Sequence, residues 1–300
     1  MVSRIGEIYA LLAAVCWTVT AMSFESAGKK VGSLSVNLLR LVIALFFFSI
    51  YGAAVRGHAL PVDAGMFTWK WLGMSALIGF CIGDLCLFRA FVLVGSRISM
   101  LIMSAVPPIT ALFGLFVLNE TLSSLAWLGM FLTVSGIVMA VTHRNGNVGT
   151  DLKQAPKPVK GLLYALGGAA GQALGLVLSK VGMGSYDAVA ATHIRVIVGT
   201  AGFAVIFTAT RRWKTALQAL RHRRAMNRIL LGSFFGPFLG VSFSLAAVKY
   251  TDAGIASTIM AIVPVLIIPP AIIVFKEKVT LPEIGGACIA VLGVALMFYQ

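Results

Sequence analysis

Charge, and negative charge above all, is what this sequence has least of. Only 10 of its 300 residues are Asp or Glu and 24 are Lys or Arg. Charged residues thus make up 11%, where a soluble domain carries about a quarter. With 59% hydrophobic residues and a mean hydropathy of +0.95, the chain belongs in lipid. Its basic excess would suit a nucleic acid only on a solvated basic face. Almost no solvated segment exists, so no nucleic-acid partner is expected and membrane topology accounts for the charge. Cysteine is scarce too. Cys16, Cys81, Cys86 and Cys288 all fall in apolar stretches, without metal-ligand spacing or paired loop positions, and read as small core residues. The sequence has no GxxxxGK[ST] loop, no HExxH and no cluster of His and acidic residues at one depth. These absences argue against a nucleotide-driven pump and against hydrolytic or metal chemistry. The expectation is a protein with no catalytic residue, cofactor or metal ion.

What is present is a series of apolar runs. A membrane span needs about 20 apolar residues to cross a hydrocarbon core of roughly 30 Å. Cutting at charged and Gly- or Pro-rich breaks gives runs near 6–27, 34–55, 69–94, 98–118 and 125–142, then 161–183, 188–209, 229–248, 253–275 and 281–299. The first continues from Ile8 past Ala21 and reads as a span rather than a cleavable leader. In lipid every backbone amide must be satisfied internally, and unbroken runs without strand alternation mean helices. The predicted fold is an all-α integral membrane protein with ten transmembrane helices as two inverted five-helix repeats. Residues 1–142 form the first repeat, 143–160 a polar connector and 161–300 the second repeat, with no length left for a separate soluble domain.

The repeat is visible when the chain is slid along itself. At an offset of 155, Gly6, Tyr9, Ala10, Leu11 and Arg40 meet Gly161, Tyr164, Ala165, Leu166 and Arg195. At 157, Gly79, Gly83, Met103, Pro107, Glu120, Gly129 and Gly136 meet Gly236, Gly240, Met260, Pro264, Glu277, Gly286 and Gly293. Five spans is an odd number, so the second copy sits upside down relative to the first, and a substrate site is expected near the midplane between them. The connector side carries sixteen loop Lys and Arg against five on the terminal side. By the positive-inside rule the connector is cytoplasmic and both termini lie outside.

An ionisable residue at membrane depth is expensive and raises a functional hypothesis. Asp84 stands near the centre of the third span, and Arg89 lies about 140° around that helix, on another face. Asp84 has three readings: an ion pair with Arg40 or Arg195, a grip on a substrate ammonium, or proton uptake. Arg40 and Arg195, equivalent by the repeat, lean towards structural pairing, and His193 towards a packed polar residue. Trp17 lies midway through the first span, with Gln172 as its mate. It either fills the core or forms an aromatic wall opposite a hydrogen-bonding amide. The eighth span adds the hydroxyls of Ser242 and Ser244, while Lys249 snorkels to the headgroups. Trp17, Asp84, Gln172 and Ser244 are the candidate substrate-binding set.

The candidate moving parts are also duplicated. Gly79 with Gly83, and Gly236 with Gly240, have the spacing of close helix approach, and their repetition suggests a contact that slides. Pro107 and Pro108, and Pro264 followed by Pro269 and Pro270, kink the fourth and ninth spans, as static bends or as gates. Glu120 and Glu277 follow those spans and cap the next helix or pair with a nearby base.

The stretch from Leu118-Asn119-Glu120-Thr121 through Gly129 to Gly136 resembles the EamA repeat of the drug/metabolite transporter superfamily, as does its echo from Phe275-Lys276-Glu277 through Gly286 to Gly293. Within that superfamily the chain is most similar to the YddG-type aromatic amino acid exporters. The resemblance implies a bacterial inner-membrane exporter whose partners are membrane lipid and a small molecule, an aromatic or large neutral amino acid. It implies alternating access around a central cavity lined by spans one, three, four, six, eight and nine. Ten-span relatives are often drawn with both termini cytoplasmic, against which the loop charges here argue. A multidrug or organic cation exporter is the alternative reading, and a membrane-embedded enzyme or a structural component stands further off.

Overall fold

A computed structural model describes residues 5–117, 123–143, 158–250, 256, 259–276 and 278–297. Glu120 and Glu277 lie outside these residues, as does most of the connector. Every regular element among the described residues is a helix. Eight are long and apolar enough to cross a membrane: α1 Ile5–Val31, α2 Ser33–Arg56, α3 Met66–Val94, α4 Ser96–Phe113, α5 Ser124–Thr142, α6 Val159–Met183, α7 Ala188–Ala209 and α8 Arg223–Ala247. Two shorter apolar helices follow, α9 Val263–Val274 and α10 Leu281–Leu296. Where the sequence predicts ten runs of crossing length, eight reach it among the described residues. Large apolar side chains such as Ile8, Phe46, Ile82, Phe131, Val205, Ile273 and Leu292 are exposed on the outside, as a lipid-facing surface requires. Cys16 and Cys81 are buried as expected, but Cys288 is exposed on α10.

The basic stretch 211–228, read from sequence as one loop, is largely helical. Arg211 turns the chain with φ 52°, and a short amphipathic helix, Trp213–Arg221, buries Ala216 and Ala219. The His222 Nδ1 then accepts from Ala225 N at 3.3 Å and caps α8. The charges that marked a loop instead decorate the solvated faces of two helices, where they cost nothing.

The principal helix contacts run between the two halves of the chain. α1 packs on α8, α3 on α6, α2 on α7 and α5 on α10. Exchanging the repeats converts the first of these pairs into the second and returns the last two to themselves. All four pairs run antiparallel. Along α5 and α10, Gly136 faces Ala290 and Thr133 faces Gly293. Along α2 and α7, Leu41 meets Gly199 and Phe48 stacks on His193.

Two local irregularities recur at the repeat offset. α3 contains a π-helical stretch at Leu77–Gly83 and α8 one at Phe234–Gly240. Both lie where a partner comes close. A Cβ at Gly171 would stand 2.6 Å from the Gly83 Cα, one at Gly175 3.0 Å from the Gly79 Cα, and one at Gly236 2.7 Å from the Thr20 Cγ2. The second irregularity is a break. α4 turns at Ser104–Ala105 and α9 begins after a turn at Ala261–Ile262. Proline clashes with the carbonyl four residues back but is tolerated in a first turn, so Pro107, Pro108 and Pro264 each start a new helical piece rather than bend a continuous one.

Candidate functional site

The two broken helices both line a half-open cavity of about 210 Å³. Met103, Ser104, Val106 and Pro107 line it from α4, and their repeat mates Met260, Ala261, Val263 and Pro264 line it from the other side. α1, α3, α6 and α8 complete it. Two residues come from helices outside the set that the resemblance implies: Arg40 of α2 and Arg195 of α7.

Trp17, Asp84, Gln172 and Ser244, scattered over 227 residues of sequence, all face this cavity. The Trp17 indole Nε1–H donates to Ser244 Oγ at 3.2 Å, and the Ser244 hydroxyl donates to Gly240 O at 2.8 Å. The ring is thereby fixed by the same helical stretch that packs against α1. Of the gating candidates, Pro107 and Pro264 face the cavity, whereas the four glycines face helix contacts.

Asp84 is 4% exposed and its carboxylate is fully engaged. Arg40 Nη2 pairs with Oδ2, and Gln172 Nε2 donates to Oδ1 at 2.6 Å. Asn37 holds the arrangement from behind, with its Nδ2 donating to Asp84 O at 3.2 Å and its Oδ1 accepting from Arg40 Nε at 3.1 Å. The Arg40 guanidinium also lies 4.6 Å from the Phe88 ring centroid. Of the three readings open for Asp84, the geometry realises the ion pair with Arg40. Gln172, expected as an amide facing cargo, spends its donor on Asp84 instead. Arg89, as expected, points to the exposed side of α3.

The expectation that both arginines pair structurally holds for Arg40 alone. Arg195 is 4% exposed, packs 4.5 Å from the Phe80 ring centroid and leaves its Nε without a hydrogen-bond partner. Two more buried polar atoms of the cavity wall, Thr20 Oγ1 and Ser104 Oγ, are also unpartnered. Phe24, Phe88, Phe91, Met100 and Leu176 supply the rest of an apolar lining. Sequence reading assigned Arg195 to structural pairing and missed Thr20, Ser104 and this aromatic lining. Single phenylalanines and hydroxyls in a span carry no signal of which way they face.

A second buried ion pair lies beyond the cavity. Arg97 Nη1 meets Glu283 Oε2 at 2.5 Å and ties the start of α4 to the start of α10. Nearby, the buried Glu25 accepts from Ser96 N at 2.7 Å and from Lys29 Nζ at 2.5 Å. The carboxylate thereby satisfies a free amide at the N-terminus of α4. No group of three or more His, Cys, Asp or Glu able to hold a metal occurs among the described residues.

A helical membrane bundle of two like halves, crossing around one cavity of mixed polarity, has the architecture of a carrier. Comparison with family models agrees: the EamA-like transporter family matches residues 4–142 and again 159–299, and the chain belongs to that family. The family points to a membrane transporter of small molecules rather than an enzyme. None of the curated proteins matches the chain. Among solved structures, one described only as the crystal structure of a protein is similar at a TM-score of 0.64 and 19% sequence identity, over 97% of this chain and 95% of that one. At that identity the likeness concerns the fold alone.

Proposed function

We propose that this transporter is a secondary exporter of a small amphipathic metabolite, an aromatic or large neutral amino acid. In this reading it works by alternating access around the midplane cavity, in the inner membrane of a bacterial cell. The observation that carries it is the cavity itself, walled by equivalent broken helices of both repeats, apolar over most of its surface and polar at a few fixed points. The antiparallel crossing of equivalent helices, α2 on α7 and α5 on α10, supports an inverted repeat in which α9 and α10 also cross the bilayer. Motion then consists of one half rocking against the other. The π-helical glycine contacts slide while the breaks before Pro107 and Pro264 absorb the bend. An organic cation exporter fits less well, because Asp84, the one carboxylate in the cavity wall among the described residues, is already held by Arg40 and Gln172.

The test is counterflow of labelled phenylalanine, tyrosine and leucine in liposomes holding the purified protein, with and without a pH gradient. Uptake driven by internal unlabelled amino acid is the expected result, and its absence for all three overturns this cargo assignment. Trp17→Ala should lower aromatic uptake about tenfold or more, since it removes a fixed aromatic wall. Unchanged uptake in that variant would remove Trp17 from the binding set.

A further inference from the structure

We infer that Arg195 is an anion-binding group of the cavity and that the cargo is recognised through a carboxylate, with its amino group dispensable. The inference rests on the carrier reading above and names the class of molecule carried.

The first argument is the missing partner. Among the described residues, Arg195 has no carboxylate within 4.0 Å and no hydrogen bond, and its buried Nε is unsatisfied; Asp84, already held by Arg40, acts on it only through space. The other buried acids are matched: Asp84 by Arg40, Glu283 by Arg97 and Glu25 by Lys29. A guanidinium does not shed its proton in a protein, so Arg195 cannot escape the cost of burial by becoming neutral. The Phe80 ring offsets part of that cost, and the remainder is available to an anion.

The repeat says what is missing. Arg40 on α2 pairs with Asp84 on α3. The mate of Arg40 at offset 155 is Arg195, and the mate of Asp84 at offset 157 is Val241. The duplication kept the arginine, and the position of its carboxylate is apolar. Val241 lines the cavity, so the empty half of the pair opens onto the space where cargo would sit. Among the described residues, two guanidiniums thus face this cavity against one carboxylate, a balance that attracts an anion and repels a cation. The planar fork of an arginine matches a carboxylate in bidentate geometry. The unpartnered hydroxyls of Thr20 and Ser104 can serve a second polar group, while Trp17, Phe24, Phe88 and Phe91 take an apolar body.

The test compares four labelled compounds that share or lack the acid: 3-phenylpropionate, phenylalanine, phenethylamine and 4-methylpentanoate. Equilibrium binding to the purified full-length protein in detergent is measured beside counterflow in liposomes. The expected result is that the wild type binds the acids and binds phenethylamine at least about tenfold more weakly. Arg195→Met removes the anion site, and Val241→Asp supplies the missing carboxylate internally. Each should weaken acid binding about ten- to a hundredfold and raise the Tm, whereas Arg195→Lys should retain part of the affinity.

Phenethylamine binding as tightly as 3-phenylpropionate would overturn the inference. So would acid affinity unchanged by Arg195→Met, failure of all the acids to bind the wild type, or a fall in Tm on Arg195→Met that marks a structural partner. Acids that bind without counterflow would support this inference and overturn the exporter reading. Counterflow of phenethylamine alone would do the reverse.

Discussion

At the scale of single residues the interior is decided by how each buried charge is met. Asp84 and Arg40 are held together by Asn37, Gln172 and Phe88, so removing one partner strands the other in a medium that cannot solvate it. Asp84→Asn is expected to lower the unfolding free energy by about 3–5 kcal/mol. Replacing both partners with leucine should recover most of it; equilibrium unfolding in detergent measures both. Another ion pair behaves differently because it joins the end of α2 to the loop that follows, where Asp63 lies outside the membrane-spanning helices. Asp63 accepts from Arg56 at 2.6 Å and from the Tyr186 hydroxyl at 2.9 Å. Slight burial pushes the Asp63 carboxyl upward, but the Tyr186 hydroxyl and then Arg56 outweigh it, so Asp63 titrates below its ordinary value of 3.8. A depressed acid contributes its full stabilisation above its ordinary value and loses it as pH falls from there through the lowered value of the folded state. A spin label at Ala59 should therefore stay immobile from pH 8 down to about 4 and loosen only as the pH drops below the ordinary value of 3.8. In Asp63→Asn it should be mobile throughout. Of these details, Asp84 was legible because a carboxylate in an apolar run stands out. Arg195 was misread because its equivalence to Arg40 hid the fact that Asp84 has no equivalent.

At the scale of helices the close crossings carry the specificity. Gly83 and Gly171 let α3 and α6 touch backbone to backbone, so a side chain at either position must separate the helices rather than displace a neighbouring side chain. Gly171→Val should cost more than about 3 kcal/mol, beyond the usual range for overpacking, because backbone cannot turn aside. Gly167→Ala is the control. Its Cβ would meet the Cys86 Sγ at 3.4 Å, and it should fold at wild-type yield by size-exclusion profile. The breaks in α4 and α9 were legible, since proline announces itself. The π-helical stretches were not, because a shift of hydrogen bonds from four residues back to five leaves no compositional mark. Only the recurrence of Gly79 and Gly83 at Gly236 and Gly240 points to those positions. The amphipathic helix after α7 was hidden by its charges, which mimic a loop.

At the scale of the whole molecule the apolar runs and the two offsets foretold a doubled helical bundle, because length and self-similarity survive in one dimension. Partner choice did not. Nothing in the order of residues says that α1 packs on α8 and α3 on α6 rather than on their sequence neighbours. Segments 1–150 and 151–300 expressed separately should each be degraded. Co-expressed, they should yield a complex that co-purifies and unfolds as one unit, since the principal contacts run between halves.

The same interlacing has a consequence for how the protein is made. At roughly 5–20 residues per second, a ribosome needs on the order of 10–30 s to synthesise the second half after the first has emerged. Through that interval Gly79, Gly83 and the one Asp84 oxygen that Gln172 will meet wait in the bilayer for α6 to arrive. A newborn chain of this design therefore carries helix faces without their complement until the second half has been translated.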